Sequence, residues 1–251
     1  MTDLIESQTV ARVLEIAFNR EAQLNALTHE MYDAIADCLD NAKADENVRA
    51  VVITGRGTAF TAGNDLGDFA KPMPKGKPPV VRFLETLRDI EIPVIAAVNG
   101  PAVGVGLTML LHCDLVFASD TAVFSAPFAQ VGLVSEAGSS LLLPQAVGMA
   151  LANDIFLTGR RLNAQEALAA GLISRIADPE TLLSMAIETA QKVAHLAPGA
   201  VQKSKQLVRN SKELIITQMA NESLHFAAQL QSSEFSESVA AFLEKRPPEF
   251  A

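Results

Sequence analysis

Short apolar runs alternate along the chain with stretches of helical periodicity. Val13–Phe18 reads as a strand, closed by the polar Asn19, Arg20 and Glu21. Thr28 is an N-cap candidate for a helix running to about Ala44, since its hydroxyl can accept from a free first-turn N–H. A strand follows over 49–54, a helix over 80–90 and, through Pro93, a strand over 94–98. Residues 106–111 predict a buried helix, and 114–118 and 122–124 two further strands. From Ser139 the period is helical almost to the end, with breaks at Gly159, at Gly171 with a short strand over 173–176, and at Pro198. This alternation predicts βαβ units and an α/β fold with mostly parallel sheet. The helical tail is too apolar on one face to stand free in water. The expected division is a core over 1–197 and a helical region over 198–251, which must pack on the core or on another subunit.

Two of the strands empty into glycine-bearing loops. One loop ends Ala62-Gly63-Asn64-Asp65-Leu66; the other reads Asn99-Gly100-Pro101-Ala102-Val103-Gly104-Val105-Gly106. A strand that runs into glycines before a helix exposes unpaired backbone N–H groups. Two such loops side by side can aim two donors at one oxygen, which is the arrangement of an oxyanion hole. Gly104-Val105-Gly106 alone could also be tight strand–helix packing, and it lacks the Gly-x-Gly-x-x-Gly spacing of a dinucleotide site. The segment 71–79 holds four prolines and three lysines and predicts an irregular surface loop.

Composition narrows the function classes. The chain has 251 residues, 49% hydrophobic and 20% charged, as expected of a globular protein with a full core. The formal charge is −9, and no Lys/Arg-rich run offsets it, which argues against nucleic acid and anionic membranes as partners. Cys38 and Cys113 lie in apolar contexts without metal-ligand spacing and read as buried thiols in a reducing compartment. Asp65 and Asp68 are too few to hold a metal, so none is expected. The four histidines lack acids at useful spacing and read as surface or packing residues. Asp3 and Glu6 interrupt any leader-like apolar stretch, and no run reaches membrane-spanning length. The expectation is a soluble, cytoplasmic protein.

At this point the chain resembles the crotonase family, also called the enoyl-CoA hydratase/isomerase family. The resemblance rests on Asn19-Arg20 with Asn25-Ala26-Leu27, on both glycine loops, on Cys113-Asp114 with Ala118-Ser119-Asp120, on Leu157-Thr158-Gly159, on Ala164-Gln165-Glu166-Ala167 with Ala170-Gly171-Leu172, and on the tail 242–246. It implies a crotonase-like spiral of ββα repeats with a C-terminal helical trimerisation region. It also implies an acyl-CoA thioester substrate, with coenzyme A entering as part of the substrate and no separate cofactor, and a homotrimer or dimer of trimers. The matching oxyanion donors are the backbone N–H groups of Asn64 and Val105. Ala62, Gly63, Asp65, Leu66 and Gly104 then lie along the CoA and acyl path. Phe242 and Lys245 match residues that, in the hydratases, reach the CoA of a neighbouring subunit. The hydratases often carry a lysine just after the first loop where this chain has Gly67; Lys71, Lys75 or Lys77 could take that part, or could sit on a solvated loop with no ligand.

The hydratases of the family use two glutamates, and the matching positions hold Thr108 and Phe128. Neither can do acid–base work, so two-carboxylate hydration is disfavoured. Glu136 matches the single catalytic glutamate of the 3,2-enoyl-CoA isomerases, and the Gly63-Asn64-Asp65 loop looks like that branch too. One base suits a double-bond shift from 3-enoyl-CoA to 2-enoyl-CoA in fatty acid β-oxidation, and an apolar wall such as Phe128 both excludes water and raises a carboxyl pKa. The alternatives are another crotonase-type hydratase, lyase or hydrolase, and a non-catalytic acyl-CoA-binding relative in which Glu136 only favours a helix dipole.

Overall fold

The computed structural model describes residues 2–69 and 76–250. Strands β1 (Ile5–Val10), β2 (Val13–Phe18), β3 (Ala50–Gly55), β4 (Val94–Val98), β6 (Leu115–Ser119) and β9 (Arg175–Ala177) form one sheet in the order β1-β2-β3-β4-β6-β9. Every pairing after the β1–β2 hairpin is parallel. β2, β3 and β4 are buried at every position because both faces are covered. Val13, Val52, Ile95 and Ala97 face Leu182, Ala186 and Ala190 of helix α8 (Pro179–Ala194). The alternate residues Ile16, Val51, Ile53 and Ala96 enter the larger core with α1 (His29–Ala44) and α3 (Pro79–Asp89). The Thr28 hydroxyl accepts from the Met31 N–H at 3.3 Å and so caps α1.

A second, smaller sheet joins β5 (Ala102–Val103), β7 (Val123–Ser125) and β8 (Leu162–Asn163). The helix expected over 106–111 is α4 (Val105–Thr108), tightening into a 3₁₀ turn over Met109–His112. The long helical stretch after Ser139 is divided at Gly148 into α5 (Ser139–Val147) and α6 (Met149–Asn153), and the strand expected over 173–176 lies two residues later, at β9. Lys71 and Lys75 lie outside the described residues; Lys77 pairs with Glu85. Cys38 and Cys113 are buried and free. Among the described residues, no helix is long and apolar enough to cross a membrane.

The tail comprises α9 (Pro198–Val208), α10 (Lys212–Gln229) and α11 (Ser233–Glu244). Ile215 and Met219 of α10 and Phe235 of α11 are buried in the core, so the tail seats on its own chain. Leu207, Val208, Leu214, Leu224 and Leu243 remain exposed on its outer side.

Candidate active site

The two glycine loops are fastened to each other by backbone. β3 and β4 pair Thr54 with Ala97, and the chains leave the sheet together. Asn25 then donates to the carbonyls of Arg56 and Ala59, both at 2.8 Å, and Asn99 donates to the Gly57 carbonyl at 2.9 Å. At Gly100 a Cβ would stand 2.0 Å from the Thr58 carbonyl oxygen, so only glycine lets the loops close. Beyond that point Thr61 bridges Ala102: its N–H donates to the Pro101 carbonyl and its own carbonyl accepts from Val103, each at 3.0 Å. Gly63 has φ +95°, and a Cβ there would meet the Val103 carbonyl oxygen at 2.9 Å.

This zipper decides where Asn64 points. Leu27 donates to the Gly63 carbonyl and accepts from the Asp65 N–H, so the intervening Asn64 N–H faces the opposite way. Val105 opens α4 behind Gly104, which adopts φ 57° and ψ −117°, and its first-turn N–H has no intrahelical acceptor. Among the described residues, neither N–H donates to another protein group. Both residues line one cavity of about 510 Å³. Two unspent donors at one cavity is the electrostatic arrangement that stabilises a developing oxyanion.

Glu136 stands behind these donors. It is buried, with 9% of its surface exposed, and lies just before α5 rather than in the cavity lining. Thr108, one turn beyond Val105, donates its hydroxyl to the Glu136 carboxylate at 2.5 Å. On the other side, the Tyr32 hydroxyl donates to the side-chain oxygen of Asn64. Tyr32 is buried, and its phenol is pushed well above its usual range, first by burial and then by the charge of Glu136. Burial raises Glu136 itself to about 7; the Thr108 hydrogen bond opposes the rise and the charge of Glu222 adds to it. A carboxyl that titrates near neutrality can take up and return a proton without a large mismatch.

The other expected positions divide. Ala62, Gly63, Asp65, Gly104, Phe128 and Phe242 line the cavity beside Asn64 and Val105. The Asp65 carboxylate is committed to Arg20 at 2.6 Å and to the Asp68 N–H at 3.0 Å, which makes it a strut of the loop. Phe242 reaches the cavity of its own chain. Lys245 is exposed, closes α11 in a left-handed conformation (φ 56°) and lies off the cavity lining. Leu66 opens the short helix α2 (Leu66–Phe69), and Lys71 lies outside the described residues. Sequence reasoning passed over Tyr32, Leu24, Val131 and Leu133. Leu24, Val131 and Leu133 line the cavity, and Tyr32 orients Asn64. Tyr32 falls on the buried face of α1 with Met31, Ile35 and Leu39, where an aromatic reads as packing.

A family model described as enoyl-CoA hydratase/isomerase matches residues 8–251. The chain belongs to this family. Its spiral α/β architecture is that of the family's solved structures: an enoyl-CoA hydratase/isomerase from Pseudoalteromonas atlantica T6c is 52% identical and superposes with a TM-score of 0.96 over 99% of this chain and 100% of that one. Enoyl-CoA delta isomerase 2 of Rattus norvegicus is 36% identical over 94% of this chain, which spans 62% of that relative's length. The 2,3-dehydroadipyl-CoA hydratase of Escherichia coli (strain K12) is 34% identical over 100% of this chain and 99% of its own. Relatives of this chain within the family thus carry names of different reactions, and the site's own residues must choose among them.

Proposed function

We propose that the protein is an isomerase that converts 3-enoyl-CoA to 2-enoyl-CoA in fatty acid β-oxidation. One observation carries this reading: the buried carboxyl of Glu136, titrating at about 7, is joined through Thr108 to the helix that supplies the Val105 donor. Phe128 on the cavity wall brings no second acid. In this reading the Glu136 carboxylate removes a C2 proton from the thioester. The C–H electron pair becomes a dienolate whose negative charge rests on the thioester oxygen, held by the N–H groups of Asn64 and Val105. The double bond then closes between C2 and C3 as C4 takes the proton back from the Glu136 carboxylic acid. Nothing is consumed, and the glutamate ends as it began.

Ala62, Gly63, Asp65, Leu66, Gly104 and Phe128 would follow the acyl-CoA, with Lys71, Phe242 and Lys245 toward its outer parts. The exposed tail residues Leu207, Val208, Leu214 and Leu224 favour burial against further copies, in a homotrimer or a dimer of trimers. The second reading is a hydratase, favoured by the Escherichia coli relative's name. Assays with 3-enoyl-CoA and 2-enoyl-CoA separate the two. Isomerisation should dominate, and Glu136→Gln should lower it by roughly 10²–10⁴. A kcat/KM for hydration equal to that for isomerisation would promote the hydratase reading.

A further inference from the structure

The backbone that carries Glu136 has to be held in place. Ala137 (φ 64°) and Gly138 (φ 70°) are consecutive left-handed residues immediately after it. Gly138 adopts that conformation freely, but Ala137 does so against its Cβ, and such strain persists only where the surroundings over-determine the geometry. Two buried side chains from distant parts of the chain supply that constraint.

The first is His112, at the end of the 3₁₀ turn that follows α4. Its Nε2 lies 2.7 Å from the Ala137 carbonyl oxygen. Burial lowers the imidazole to about 4, so the ring is neutral at physiological pH and Nε2 must carry the hydrogen that it donates. The second is Glu222, on α10. One of its carboxylate oxygens accepts from the Gly138 N–H at 2.5 Å, and the other accepts from the Ser140 N–H at 2.9 Å and from the Ser140 hydroxyl. Gln218, one turn earlier on α10, donates to the same hydroxyl at 2.7 Å. Gly138 has no side chain with which to cap α5, so Glu222 does so from outside, at the end where the helix dipole favours a negative charge.

That placement puts a second buried carboxylate close to the first. The side chains that act on Glu136 are Thr108 from α4 and Glu222 from α10, and Glu136 in turn acts on the phenol of Tyr32 from α1. The hydroxyl is uncharged and the phenol is held neutral, so Glu222 is the charged one among them. A helix cap made by serine or aspartate at position 138 would satisfy α5 without tying it to the tail; a glutamate on α10 adds a fixed charge and a tether.

We propose that Glu222 and His112 are positioning residues for proton transfer: together they fix the strained turn that presents Glu136, and Glu222 sets a negative charge beside it. The proposal rests on the reading of Glu136 as the base. Its consequence is that α10, whose outer side exposes Leu214 and Leu224, controls the base from a tail helix that does not line the cavity.

The test uses Glu222→Gln, Glu222→Ala, His112→Gln and Glu136→Gln in the full-length protein. Turnover of 3-enoyl-CoA is followed against pH, and the Glu136 side-chain carbon is titrated by NMR in ¹³C-glutamate-labelled protein, assigned by its loss in Glu136→Gln. Glu222→Gln removes the charge and keeps one acceptor oxygen, enough for the Gly138 N–H but not for the Ser140 N–H as well. It should lower the Glu136 midpoint by roughly half a pH unit or more, move the acidic limb of kcat with it, and leave KM within about twofold. Glu222→Ala frees the turn as well and should lower kcat by about 10²-fold, the scale of a misplacement near 1 Å. His112→Gln, which retains a donor, should keep more activity than Glu222→Ala. Should Glu222→Ala fail to fold, the NMR midpoint in Glu222→Gln still decides. If Glu136→Gln loses turnover while Glu222→Gln leaves both midpoint and kcat unchanged, the proposal is overturned and the base assignment stands. If Glu136→Gln keeps its turnover, the base assignment falls and the proposal falls with it.

Discussion

Replacing Glu136 by glutamine should stabilise the protein while it disables the chemistry. In the unfolded chain a glutamate titrates near 4.5, whereas in the folded protein burial holds Glu136 near 7. Below about 4.5 the carboxyl is protonated in both states and contributes no difference. Between the two values the unfolded state releases a proton that the folded state retains, so stability falls as pH rises. Each pH unit in that window is worth ~1.4 kcal/mol, which makes the full loss above pH 7 about 3 kcal/mol. Glutamine is uncharged at every pH and can still accept from the Thr108 hydroxyl, so it escapes this loss. At pH 8 the variant should therefore unfold roughly 6–12 °C above the parent, using the ~2–4 °C per kcal/mol typical of a chain this long. At pH 5 the two should unfold nearly together. Thermal scans of both proteins at pH 5 and pH 8, at one fixed protein concentration so that assembly contributes equally, measure the gap. A gap of the same size at both pH values would refute the reasoning, because Glu136 would then not be held as an acid in the folded protein. The gain at pH 8 would come with lost turnover, the trade expected where a site keeps an unfavourable charge for its chemistry.

Three further outcomes follow from the same geometry. Thr108→Val keeps the shape but removes the hydrogen bond that favours the Glu136 carboxylate; the midpoint and the acidic limb of kcat/KM should rise by about one pH unit, and an unmoved limb would detach Thr108 from the base. Gly63→Ala puts a Cβ 2.9 Å from the Val103 carbonyl at a φ of +95°, so the loops must part; kcat should fall by ~10-fold or more with the fold retained, and full activity in a folded variant would show that the loop contact does not set the donors. Light scattering at micromolar protein should report at least three subunits, since a monomer would leave Leu207, Val208, Leu214 and Leu224 in water; a stable monomer would overturn the assembly.

How legible each part was depends on where its cause lies. β2, β3 and β4 could be read from the chain because strands covered on both faces are near-continuous apolar runs, interrupted here only by Glu15 and Thr54. β1 could not, because it is an edge strand with four of its six residues exposed, and its Glu-Ser-Gln-Thr run lacks a core signature. The backbone donors left no side-chain mark of their own. The glycines made the two loops legible, and resemblance picked out Asn64 and Val105 within them; the positive φ values of Gly63 and Gly104 are the local cause of the direction of those N–H groups. Glu136 is the opposite case. Its position followed from resemblance, but its basicity is made first by burial and then by Glu222, whose hold on Gly138 spans 84 residues, and is held back by Thr108, 28 residues earlier. No local window contains those partners, and a lone glutamate before a helix reads equally well as a dipole cap. Phe242 was legible as apolar and periodic, yet only the path of α11 back over its own chain sets it on the cavity wall. What a residue donates through its backbone is therefore written nearby, in the glycines that free it. What its side chain can do as an acid or base is written in residues that the fold brings from far away.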